Sequence, residues 1–209
     1  MSVSISAVNP VLADALTRSR SWATDAVLVT TGAAVVAVAA QISVPLWPVP
    51  VTGQTLAVLL VGVALGPWRG AASLLLYALI GLAGLPVFAN LTGGPLSVLK
   101  PSFGFVIGFI PAAFVGGWIA RKAWDRHFVR AFAGFAVASA VPFAIGLPYL
   151  AVVLGTLGLD NSPTAVLAAG LLPFVLGGFI KAALAAVILP LAWRGSRAID
   201  RRRSLDSHR

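Results

Sequence analysis

The sequence predicts an all-α polytopic membrane protein, a bundle of six transmembrane helices in one integral membrane domain spanning 1–209, and three observations predict it. The first is composition: 59% of residues are hydrophobic and 10% are charged, with a mean hydropathy of +0.96, whereas about 25% of a soluble domain is charged. The second is length. At about 20 apolar residues per crossing, 209 residues hold roughly six helices with tight loops and no separate soluble domain. The third is the placement of charge. Arg18 and Arg20 precede the first apolar run, Arg69 sits in a hinge, and Arg121, Lys122, Arg126 and Arg130 cluster in a later one. The tail, 194–209, carries Arg194, Arg197, Arg201, Arg202, Arg203 and Arg209, and Lys100 alone marks the alternate set of loops. This positive-inside asymmetry predicts an even number of spans with both termini cytoplasmic, in the plasma membrane. A net charge of +9 arranged in this way reads as topology and attraction to anionic membrane lipid, not as a nucleic-acid footprint.

Composition also removes whole classes of chemistry. With no Cys, disulfides, thiol catalysis and Cys-based metal sites are excluded. The two histidines, His127 and His208, lie in polar flanks, and all six acidic residues (Asp14, Asp25, Asp125, Asp160, Asp200 and Asp206) fall outside the apolar runs. An intramembrane hydrolase would therefore lack its usual base and nucleophile pairings. No catalytic residue, metal or cofactor is expected.

Residues 1–24 read as a polar cytoplasmic lead, frayed or lying on the surface, with a helix from Pro10 as the alternative. The apolar run after Asp25 is long and lacks a short h-region with a cleavage pattern, so no cleavable signal peptide is expected. Span one, Asp25 to Val44, carries Ala33 and Ala37, a small-xxx-small pair on one face that lets another helix approach closely. Pattern alone favours internal packing for it over a docking surface.

Residues 44–55 form an uncharged outer loop in which Pro45, Pro48 and Pro50 enforce a stiff, extended path. It reads either as a lid with Gln54 and Thr55 offering hydrogen bonds beneath it, or as a tight connection whose Thr52 N-caps span two. Span two, Thr55 to Leu65, and span three, Ala71 to Leu85, are both short for a bilayer and flank a hinge at 66–70. Residues 86–102 make an outer loop of turn formers, in which Asn90 is either a turn residue or a ligand donor and acceptor. Span four, Ser102 to Ile119, is dotted with glycine and carries Pro111. Span five, Ala131 to Leu154, is expected to break at Pro142 and at 146–149, exposing backbone beside Tyr149 that a neighbour or a lined cavity must satisfy. A short helix over 164–170 then precedes span six, Pro173 to Trp193, with Pro173 near N1.

Lys181 is the one charged residue set inside a long apolar run. An ammonium at mid-membrane depth costs about 2.5–3.5 kcal/mol and usually faces a cavity or a partner. Apart from Asp25 at the very start of span one, no carboxylate lies in any span. Lys181 therefore awaits an anionic or strongly hydrogen-bonding ligand, or it snorkels along its stem to an interface.

A set of short motifs recurs in order along roughly Pro45 to Ala186: Pro48-Val49-Pro50-Val51-Thr52, Gln54-Thr55, Leu65-Gly66-Pro67 with Arg69-Gly70, Gly81 through Phe88, Gly104 with Gly108-Phe109, Gly146-Leu147-Pro148-Tyr149, and Pro173-Phe174 to Lys181-Ala182. Together they resemble the BioY family, the biotin-specific S components of energy-coupling-factor (ECF) transporters. The resemblance implies a six-helix protein that captures extracellular biotin and partners a transmembrane coupling protein and ATPase subunits. It implies binding roles for Lys181, Asn90 and, at the outer mouth, Lys100, and it makes Ala33 and Ala37 the face turned to the coupling protein. One departure stands out. Where the family usually reads Pro-Gly-Asp-x-x-Lys, this chain has Gly178 in place of the Asp, so a ligand-binding carboxylate is missing. An S component for another small vitamin and a structural membrane subunit are the alternatives.

Overall fold

The structure, a computed structural model, describes residues 11–16, 21–122, 124, 128–175, 177–181, 183–188 and 191–192. The basic tail at 194–209, most of the lead and the 125–127 part of the basic loop lie outside the described residues. The elements run in chain order α1 (Leu12–Leu16), α2 (Trp22–Gln41), β1 (Ser43–Val44), β2 (Val51–Thr52), α3 (Gln54–Leu65), α4 (Pro67–Leu82), α5 (Phe103–Arg121), α6 (Phe128–Thr156) and α7 (Pro163–Gly170). Two 3-10 turns, Ala89–Leu91 and Pro95–Leu99, lie between α4 and α5. Residues 172–175, 177–181 and 183–188 are helical beyond α7.

Among the described residues, four stretches are long and apolar enough to cross a membrane: Trp22–Gln41, Phe103–Arg121, Val129–Thr156 and Pro163–Ile188. The 12-residue α3 and the 16-residue α4 reach only about 18 and 24 Å at 1.5 Å per residue, as short as the sequence suggests for spans two and three. Gly66 joins them. Its φ of +87° is a conformation that only glycine adopts freely, and Pro67 follows at N1 with its φ already helical.

Three expectations need correction. The lead is not frayed over its described part, because α1 packs into the bundle with Val11 at 1% and Ala13 at 5% exposure. Arg69 pins it, pairing at 2.7 Å with Asp14 on α1 and at 2.7 Å with Asp25 on α2. The outer loop is also not merely extended, though the fold stays predominantly helical. The proline-rich loop closes as a two-stranded antiparallel hairpin, Ser43 opposite Thr52 and Val44 opposite Val51, and this ends α2 before Val44. Finally, α6 continues through both Pro142 and Pro148. Each proline removes one backbone donor, but α5 holds the helix together by close approach at glycine. A Cβ on Gly108 would lie 2.7 Å from Pro142 Cα, one on Gly104 2.3 Å from Tyr149 Cβ, and one on Gly146 2.5 Å from the Phe105 ring.

The core divides along the bundle. Val36, Leu74, Tyr77, Phe88, Phe103, Phe105, Phe109 and Leu150 pack at the end that carries the hairpin, and Val11, Leu59, Val63, Phe135, Ala138 and Ala185 at the end that carries α1. Ala33 is 2% exposed and faces the first of these clusters, with Ala37 half-buried against it. Ala33 thus sits in internal packing, where a partner helix has no access, while Ala37 keeps part of its surface open.

Candidate functional site

A cavity of about 300 Å³ opens at the hairpin end. Trp47, Pro48, Val49 and Pro50 of the hairpin are part of its lining. Much of the rest of the lining is aromatic. Phe105 on α5, Phe143 on α6 and Phe174 after α7 meet as a three-ring cluster, with centroids 5.7 Å, 6.1 Å and 6.0 Å apart. Tyr77, Phe88 and Phe103 continue the aromatic surface edge to face at 5.4 and 6.2 Å. Such rings offer large apolar area with preferred edge-on contacts, suited to a flat apolar ligand.

Polar groups are few and held in place. At the start of α3, Thr52 Oγ1 donates to Gln54 Oε1 at 2.9 Å, and Gln54 Nε2 donates to the Tyr77 hydroxyl at 2.7 Å. Gln54 and Tyr77 are buried, so this chain satisfies groups that would otherwise be costly to bury. The N-cap of α3 is Gly53, not Thr52. Thr52's hydroxyl instead accepts from Gln54 N at 3.3 Å.

Asn90 is a turn residue that also lines the cavity. It sits in the left-handed region at φ 59°, ψ 39°, which Asn tolerates better than most residues. Ser43 Oγ donates to its Oδ1 at 2.7 Å, leaving the amide NH₂ as the group that can donate to a ligand. Gln41 latches the same loop. Its Nε2 donates to Val87 O and Phe88 O, both at 3.3 Å, and its Oε1 accepts from Leu91 N at 2.9 Å. Each such bond contributes about 0.5–1.5 kcal/mol net. Gln41→Leu is therefore expected to speed hydrogen exchange over 87–92 by roughly tenfold or more while α5 and α6 exchange as before; unchanged exchange at Leu91 would rule the latch out.

Of the other residues singled out from sequence, Gln54, Thr55 and Lys100 line the cavity. Lys181 reaches it indirectly. Its Nζ donates to Thr52 O at 2.5 Å and to Thr55 Oγ1 at 2.8 Å, and both residues are part of the lining. The ammonium has three donors, and these two bonds leave one for a ligand. Tyr149 stands behind the cavity, its hydroxyl donating to Val98 O and so holding the second 3-10 turn. Gly178 is not among the lining residues, and a Cβ placed there would meet nothing within 4 Å. Tyr77, Phe88, Ser97 and the three-ring cluster were not singled out. Tyr77 had a signal, a hydroxyl inside an apolar run, whereas the rings come from three separate elements and meet only in space.

The BioY family model matches residues 9–198. The chain belongs to the BioY family. A protein of Pyrococcus horikoshii described as a probable biotin transporter BioY is 36% identical over 155 residues, which cover 74% of this chain and 87% of that protein. The biotin transporter BioY of Thermotoga maritima is 35% identical over 155 residues, again 74% of this chain and 87% of the relative. Among solved structures, the S component for biotin from an ECF-type ABC transporter aligns with a TM-score of 0.67 over 84% of this chain and 95% of its own, at 22% identity. At that identity the likeness speaks for the fold. For a BioY chain, the cavity under the hairpin is the site to explain.

Proposed function

We propose that this protein is the substrate-binding S component of an ECF-type transporter and captures biotin for uptake across the cell membrane. The observation that carries the reading is the cavity itself: an apolar pocket in a BioY-family chain, lined by aromatic rings and with two cations at hand, Lys181 through Thr52 and Thr55, and Lys100 in the lining. Biotin presents a hydrophobic bicycle, a ureido head with two donors and an acceptor, and a carboxylate on an apolar chain. Few placed polar groups in an apolar cleft suit such a ligand. The relatives are transporters, and the reading here is capture rather than catalysis. Calorimetric titration of the detergent-purified chain with biotin, thiamin and riboflavin tests it: heat with biotin alone is expected, and heat with another vitamin alone would overturn the substrate while leaving the fold.

The topology we infer counts α3 and α4 as crossings, giving six spans with both termini cytoplasmic. The clustering of Arg and Lys supports it. Because the chain has no Cys, single cysteines at Ser102 and in the tail can be labelled from outside with an impermeant thiol reagent; labelling of the tail in intact cells would refute this arrangement. The coupling protein and ATPase subunits are the expected partners, docking along α2. Ala37, half-buried, is the member of the Ala33 and Ala37 pair that a partner can reach. Tagged protein that never co-purifies with an ATPase subunit from its host would count against an energised complex.

The missing carboxylate at Gly178 yields a separate expectation. Open space surrounds that position, and an Asp there stands i, i+3 from Lys181 on one helical face. Gly178→Asp should fold and bind biotin within a few-fold of wild type. Complete loss of binding in calorimetry would show that the pocket is built around the glycine.

A further inference from the structure

Buried polar side chains nearly always have a hydrogen-bond partner, and an exception calls for a reason. Ser97 is such an exception. It is 2% exposed, it lines the cavity, and its Oγ has no partner among the described residues. Two other hydroxyls of the lining are engaged: Thr52 Oγ1 bonds Gln54 and Thr92 Oγ1 donates to Ala89 O at 3.0 Å. The Ser97 hydroxyl is not needed to hold its own turn either. Backbone bonds from Ser97 N to Gly94 O at 3.0 Å and from Lys100 N to Ser97 O at 3.1 Å do that, with Tyr149 clamping Val98 O from behind.

Ser97 lies in this turn and Lys100 is the residue that caps it, its N–H closing the turn on Ser97 O, and both line the cavity. None of the lining residues is acidic. A hydroxyl and an ammonium presented together, with no carboxylate to neutralise them, can donate to the two oxygens of one carboxylate group, and such charge-assisted bonds are the stronger kind.

We propose that Ser97 is a ligand-binding residue whose hydroxyl, beside Lys100, donates to the carboxylate of the bound ligand. The proposal rests on the reading of the protein as a biotin binder and names a contact within it. It also accounts for the idle hydroxyl: the partner arrives with the ligand.

The test uses the full chain in detergent, titrated with biotin and with the analogue in which a methyl group replaces the carboxylate. Ser97→Ala should weaken biotin by about ten- to a hundredfold, the worth of a hydrogen bond to a charged group, and leave the methyl analogue unaffected. Because Oγ makes no bond in the free protein, the ligand-free melting temperature of Ser97→Ala should equal or exceed that of wild type. Ser97→Thr, which keeps the hydroxyl, should retain most of the preference for the acid and guards against a poorly folded alanine variant. Unchanged biotin affinity in either folded non-hydroxyl variant, Ser97→Ala or Ser97→Val, overturns the assignment. Equal losses on acid and methyl analogue also overturn it, by placing the hydroxyl elsewhere on the ligand. A wild-type protein that binds neither compound overturns the biotin reading and this contact with it, a result distinct from biotin binding that ignores Ser97.

Discussion

Lys181→Met is expected to weaken biotin binding by about 2–5 kcal/mol, the cost of truncating one partner of a desolvated, charge-assisted contact, and to weaken biotin methyl ester by the same amount. The reasoning starts from the two bonds the ammonium already makes. Thr52 O at 2.5 Å and Thr55 Oγ1 at 2.8 Å fix Nζ beside the first turn of α3, where Gln54 and Tyr77 are buried. Lys100 belongs to a different part of the lining, the loop between the second 3-10 turn and α5. A ligand with a neutral hydrogen-bonding head and an anionic tail can then set its ureido oxygen against Lys181 and its carboxylate against Lys100. Methyl esterification removes the negative charge without touching the head. If Lys181 serves the ureido end, the mutant loses acid and ester equally. If it serves the carboxylate, the wild type discriminates strongly against the ester and the mutant discriminates far less. Unchanged affinity for both ligands in a folded mutant would reduce Lys181 to a tether between the last helix and α3.

That Lys181 was visible in the sequence, while its partners were not, shows how the information is distributed. A charge in an apolar run is conspicuous because membrane insertion penalises it. Its hydrogen bonds cross 126 and 129 positions of sequence, a pairing no local pattern encodes. Span ends were legible where Gly and Pro punctuate, as at Gly66-Pro67, because those residues act on their own backbone. The same rule misled at Pro142 and Pro148. There the local cost of a missing donor is outweighed by packing against Gly104 and Gly108 of another helix. Ala33 and Ala37 illustrate a third case: small residues announce close approach, but the sequence does not say whether the approaching helix is internal. At Ala33, 2% exposed, the neighbour is the protein's own core. Ser97 lay hidden among turn formers, since an unpartnered hydroxyl can be recognised only after every other partner has been placed.

Gly117→Ala is expected to destabilise the protein by about 3 kcal/mol or more, while Gly116→Ala, one residue away, is expected to be neutral. Lipid tails are as apolar as the side chains they touch, so helices in a membrane associate through close packing rather than hydrophobic expulsion, and glycine permits the closest approach. At Gly117 that approach is backbone to backbone. A Cβ there would lie 2.3 Å from Gly66 C, 2.3 Å from Pro67 N and 2.7 Å from Gly62 O, atoms that belong to the junction of α3 and α4 and cannot rotate away. Overpacking of this kind commonly costs about 1–3 kcal/mol and more when nothing flexible can yield. At Gly116 the nearest atoms are Val63 Cγ2 at 3.7 Å and Leu59 O at 3.9 Å, ordinary contact distances. There the methyl group fits, and alanine's better helix propensity adds a few tenths of a kcal/mol or more. Thermal unfolding of the two variants in the same detergent compares them directly. A melting temperature several degrees below wild type for Gly117→Ala, and equal to or above it for Gly116→Ala, is the expected pair. Equal melting temperatures for both would mean that α5 does not lie against the α3–α4 junction as closely as these distances require.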